Sequence, residues 1–93
     1  MIANPEEADM VASHDTMMKE RVEFETRIVT LTSTIDAVRE RINFLGAKGA
    51  GAEEFTKASD KLRHSLASLD QARIGLLRVN AAIEQMRFAW NIL

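Results

Sequence analysis

Met10, His14 and Met17 follow one another at spacings of four and three, with Met18 alongside. Two thioethers and an imidazole on one helical face are soft ligands of the kind that hold Cu(I). The same spacing is that of a helix seam, and these positions continue a heptad that runs on through the chain, so a histidine packed among methionines is the stronger reading. His64 stands too far along the sequence to join them.

A search for catalytic chemistry ends sooner. The chain has no cysteine and no tyrosine. Ser13, Ser59, Ser65 and Ser68 stand in no nucleophile elbow, and there is neither a glycine-rich phosphate loop nor a histidine pair at ligand spacing. A bundle-lining active site would need several polar groups on buried helix faces, and only Arg21 and Ser65 fall on the seams. The expectation is a non-catalytic protein with no cofactor, no metal and no small-molecule substrate.

The elements that carry these residues are plain in the spacing. Phe24, Ile28, Leu31, Ile35, Val38, Ile42 and Leu45 recur at alternating four and three, and Phe55, Leu62, Leu69, Leu76, Ile83 and Trp90 recur every seven. Apolar residues in a sustained heptad predict two long helices packed along a seam. Asn4 and Pro5 supply an N-cap and a first-turn proline, and Glu6 and Glu7 suit the positive end of the helix dipole, so helix one is expected over about 5–45. Residues 13–16 offer a second cap and an alternative start. Gly46 can adopt the left-handed conformation that ends a helix, and Gly49 and Gly51 make continuation costly, which places a turn at 46–51. Glu53 and Glu54 then open helix two, expected over about 52–91.

So short a connection joins antiparallel neighbours. The fold class is therefore all-α, an antiparallel two-helix hairpin forming a single coiled-coil-like domain over 1–93, dimerising into a four-helix bundle. Ala58, Ser65 and Ala72 between the large residues of the second seam let the backbones approach, opposite bulky Ile35, Val38 and Ile42. Gly75, in mid-helix, costs about 1 kcal/mol relative to alanine; a close crossing there would explain it. Pairs at helical spacing, including Lys19 with Glu23, Asp60 with Arg63, Asp70 with Arg73 and Glu84 with Arg87, mark a solvated outer surface.

Ninety-three residues allow one small domain of marginal independent stability, for which self-association is a common remedy. The net charge of −2 hides an acidic beginning: Glu6, Glu7, Asp9, Asp15, Glu20, Glu23 and Glu25 face only Lys19 and Arg21. Basic residues around the turn barely outnumber acidic ones, which argues against a nucleic-acid surface. No apolar run reaches the roughly 18 residues of a membrane span, and the first residues lack the pattern of a signal peptide. A soluble, cytoplasmic protein is expected, with export by a signal-less route compatible with the same sequence.

What remains is surplus apolar surface. Met18, Val22 and Val29 on helix one, and Ile74, Leu77, Phe88 and Ile92 with Ala81 on helix two, lie off the seams, and antiparallel packing brings them toward the end away from the turn. Such a patch marks an interface. One reading is a protein-protein interaction module that pairs with a second copy of itself; the alternative is a small chaperone, co-chaperone or regulator that sequesters another helical protein, with Phe88 and Trp90 as anchors. In layout the chain resembles the small helical-hairpin proteins of specialised bacterial secretion, both secreted or needle hairpins and their co-chaperones. Its turn, Ala47, Lys48, Gly49, Ala50 and Gly51, has neither the Trp-x-Gly tripeptide of one such class nor the proline of another, so no residue role is carried over.

Overall fold

In the computed structural model the chain forms two helices, α1 (Pro5–Lys48) and α2 (Ala52–Ile92), packed against each other as a hairpin. The structure describes residues 5–92, with side chains over 7–89; Asn4, the expected cap, and the side chains of Trp90 and Ile92 lie outside them. The rod measures 71 × 18 × 15 Å. The 44 residues of α1 at about 1.5 Å each account for roughly 66 Å of that length.

The alternative start at 13–16 is not used: α1 is continuous from Pro5. Thr16 does not cap but donates its hydroxyl back to the carbonyl of Ala12 at 3.0 Å. Thr32, Thr34 and Thr56 do the same to Ile28, Thr30 and Ala52. A hydroxyl satisfied within its own helix no longer competes for the backbone, which is how a threonine-rich stretch stays helical.

The helix also passes the glycine expected to end it. Gly46 remains helical, against the Phe55 ring, and Gly49 takes the left-handed conformation instead, at φ 73°. The Ala50 N–H then donates to the Leu45 carbonyl at 3.0 Å and the Gly49 N–H to the Gly46 carbonyl at 3.3 Å. This is the Schellman arrangement, closed on the carbonyls of Gly46 and of fully buried Leu45. On the other side of the turn, the Phe55 N–H donates to the Gly51 carbonyl, and Glu53 and Glu54 occupy the first turn of α2 as expected.

The heptads form the core. Ile35, Val38 and Leu45 from α1 and Ser65, Leu69, Ala72, Val79 and Ile83 from α2 are all buried. Phe24, Ile28, Leu31, Ile42, Phe55, Leu62 and Leu76 are half-buried, since a lone pair of helices covers only a stripe of each. Two contacts set the register: Phe55 against Gly46 near the turn, and Phe24 against Gly75 further along. Leu45 is then level with Phe55, Ile42 with Ala58, Ile35 with Ser65, Phe24 with Leu76 and Met17 with Ile83. Ile42 and Ile35 of α1 therefore stand opposite the small Ala58 and Ser65 of α2, while nearer the ends large residues meet large ones.

Gly75 is where the backbones have no room. A Cβ there would overlap Cε1 and Cζ of Phe24 and lie 3.0 Å from Cδ1, while Arg27 covers the same ring at 5.6 Å. Alanine would recover about 1 kcal/mol of helix propensity but must push the ring off the seam, and overpacking costs about 1–3 kcal/mol. Gly75→Ala is expected to destabilise the hairpin by about 1 kcal/mol, and to become neutral or stabilising when Phe24→Leu removes the ring edge. Urea unfolding of the two single variants and the double variant measures the sign; a stabilising single Gly75→Ala would refute the close crossing.

Candidate functional site

In a coiled hairpin each residue that follows a seam position turns toward one broad face. The helices wind in the same sense but run in opposite directions, so the followers on α1 and the followers on α2 share a face, and the residues that precede seam positions share the other. A groove confirms the second half of this: Thr34, Ala37 and Arg41 of α1 line it together with Glu54, Lys57 and Lys61 of α2, and all six precede seam residues.

The face of followers carries a row of aliphatic side chains among its charged ones. Val11, Met18, Val22 and Val29 lie on its α1 side, and Leu66 and Leu77 on its α2 side. Val22 is 57% exposed, Val29 67% and Leu77 70%. By the register Val22 and Leu77 are level, and a shallow concavity borders Val22, between Met18, Lys19 and Glu23. Ile74 and Phe88 do not share this face. They sit on the outer ridge of α2, opposite its seam, where Phe88 is 70% exposed. Ile74, three residues from Leu77, borders the apolar face, and Phe88 lies well toward the open end. The side chain of Ile92 is outside the described residues.

Val29 and Leu77 stand near the middle of the rod, because α1 reaches from Pro5 to Lys48 and its midpoint falls close to them. The surplus surface is thus not confined to the end away from the turn: it runs from Leu66, level with Thr34 on the turn side of mid-rod, to Val11 near the open end. Val11 and Leu66 belong to it and were missed in the sequence. The signal was present: Val11 follows Met10, Leu66 follows Ser65, and each repeats the flank position of Met18 or Arg73 at a heptad interval.

The opposite face is polar. Its α1 side carries Glu20, Glu23, Arg27, Thr30 and Thr34, and its α2 side Lys61, His64, Ser68, Gln71 and Arg78. Phe44 is the large apolar exception, with Arg41 over its ring at 5.9 Å. The groove near the turn, about 550 Å³, opens because Ala37 and Ala58 are small; Val38, Leu45 and Ala58 make its floor. Arg41, Lys57 and Lys61 outnumber Glu54 at its rim, but Lys57 already leans on Glu53 at 3.8 Å and is mostly exposed.

The residues first singled out for chemistry are spread along the core. Met10, His14 and Met17 are half-buried on the α1 seam. Arg21, also on the seam, turns its Nε to Glu25 at 3.4 Å. Ser65 is buried opposite Ile35. Of the pairs at helical spacing, Asp60 with Arg63 at 2.8 Å and Glu84 with Arg87 at 4.0 Å lie within ion-pair distance. Exposed pairs of this kind contribute at most about 1 kcal/mol. Among the described residues no three His, Cys, Asp or Glu cluster as a metal site, and no helix is long and apolar enough to cross a membrane. Comparison with protein-family models, with curated proteins and with solved structures finds no match to this chain.

Proposed function

We propose that this protein is a non-catalytic helical interaction module that pairs with a second copy of itself through the apolar face of the hairpin. The observation that carries the reading is the contrast between the two faces. Both carry charged residues, but Val11, Met18, Val22, Val29, Leu66 and Leu77 gather on one, while Phe44 is the large exposed apolar side chain of the other among the described residues. A second apolar stripe, displaced to one side of the first seam and present on both helices, is what each helix of a four-helix bundle needs to touch two neighbours.

Surface area points the same way. The accessible surface is 7100 Å² for a chain of 10.4 kDa. A compact monomer of that mass exposes about 5,400 Å². Covering about 800 Å² per copy, a standard interface, would remove roughly half of the excess.

Sedimentation equilibrium of the full chain between low micromolar and millimolar concentration tests this. A reversible monomer-dimer equilibrium is expected, with a melting temperature that rises with concentration because association stabilises the folded state. A monomer throughout would overturn the reading. The exposure of Phe88 on the outer ridge favours one second reading, in which another helical protein is captured there as a chaperone or regulator would capture it. That reading predicts a hetero-complex lost on Phe88→Glu with self-association intact.

A further inference from the structure

Resting on the self-pairing just proposed, we propose further that the two copies pair with their turns at the same end, α1 of each lying over α2 of the other about a two-fold axis parallel to the rod. The occupant of the apolar face is a second copy because the face is complementary to itself in this orientation. On its α1 side the charged residues are Asp15, Glu25 and Asp36 with a single base, Arg39; on its α2 side they are Arg63, Arg73 and Arg87 with two acids, Asp70 and Glu84. The α1 side is net acidic and the α2 side net basic.

Their levels match as well. The contacts of Phe55 with Gly46 and of Phe24 with Gly75 place Asp36 within a residue or two of the level of Arg63, Glu25 of Arg73 and Asp15 of Arg87, while Val22 falls level with Leu77. With turns together, each of these residues meets its complement on the other copy. Asp15 also falls level with Glu84, and Arg87, 4.0 Å from Glu84, is placed to serve both acids.

The opposed orientation, turns at opposite ends, lays α1 on α1 and α2 on α2. That sets the acidic side on its own copy and the basic side on its own: with the rods fully overlapped Asp15 meets Arg39 and Arg63 meets Glu84, but Glu25 and Asp36 find no base and Arg73 faces its own copy. Either orientation leaves every helix antiparallel to both neighbours, so the helix dipoles do not choose between them and the charges do.

The chain has no cysteine, which permits a single reporter. Ala47→Cys in the exposed turn, spin-labelled and measured by double electron-electron resonance at a concentration where sedimentation shows dimer, is expected to give an interlabel distance below about 40 Å, the width of two hairpins plus label arms. A distance near the 71 Å length of the rod overturns the orientation and leaves self-pairing standing. Monomer by sedimentation overturns both. A second measurement reads the charges: Asp36→Arg should weaken the dimer about tenfold across its two symmetry-related sites, and adding Arg63→Asp in the same chain should restore it. In the opposed orientation Asp36 falls level with Met17 and Met18 of the other copy, so Asp36→Arg leaves the constant within about threefold and adding Arg63→Asp restores nothing; that result overturns the turns-together pairing.

Discussion

Replacing Ile35 with alanine is expected to remove about 3 kcal/mol of stability, the larger part of what a domain of this size has in hand. Ile35 is 3% exposed and stands level with Ser65, itself 8% exposed. The small serine gives the site nothing with which to refill the space, and neither rod-like helix can move inward at one point without lifting its neighbours on the seam. The lost contact and the unfilled cavity therefore both count against the variant. Val29→Ala removes apolar atoms from the same helix at a position that is 67% exposed, and should change monomer stability by less than about 0.5 kcal/mol. Urea unfolding followed by helical circular dichroism, at concentrations below dimerisation, separates the two. A cost below about 1 kcal/mol for Ile35→Ala would mean that the seam does not hold the hairpin together.

The second large effect concerns association. Val22→Glu with Leu77→Glu places carboxylates at two level positions of the apolar face, far enough from the seam that the hairpin itself should keep its helix content. Pairing would then have to cover four carboxylates per dimer that lack partners and face one another, so the dimer dissociation constant should rise at least about 100-fold. Ala37→Glu, on the groove face, is the matched control and should leave the constant within about threefold. Sedimentation of the three proteins measures the difference, with circular dichroism to establish that each remains folded. Equal loss of pairing in the control, or full pairing in the double variant, would place the contact elsewhere.

Much of this architecture was legible in residue types and spacing. Two helices, their antiparallel packing and the identity of the seam follow from apolar residues at four and three, because only one stripe of a helix can face one neighbour. Ile35, Val38, Leu69, Ile83 and the small Ala72 and Ser65 are where the heptad puts them. The start of α2 was legible for a local reason: Glu53 and Glu54 suit the dipole of a helix that begins just after Gly51.

The end of α1 was not. Gly46 and Gly49 are equally able to take a positive φ, and choosing between them depends on whether Leu45 is needed in the core and whether Gly46 is needed against Phe55. Those are contacts across the hairpin. The role of Thr16 was hidden in the same way. A threonine hydroxyl caps a helix where the preceding residues are extended and bonds back to a carbonyl where they are helical, and here packing carries α1 straight through. The surplus apolar residues were legible as a patch drawn from both helices, but its position along the rod and the separation of Ile74 and Phe88 from its face were not. Val22 and Leu77 are distant in sequence, and placing them on one face requires both the direction of α2 and its register.

By itself the sequence determined the helical period, the breaking of the chain between two seams and the absence of a cysteine or tyrosine for chemistry. Those are local or compositional properties, settled by φ preference, spacing and residue type. Only the tertiary structure decided that Gly75 gives way to Phe24, that α1 ends at Lys48, and that Val11, Val22, Val29, Leu66 and Leu77 make one face while Ile74 and Phe88 make a ridge beside it. Each of these depends on how far one helix has slid along the other, a quantity set by the whole seam at once and written in no single stretch of residues.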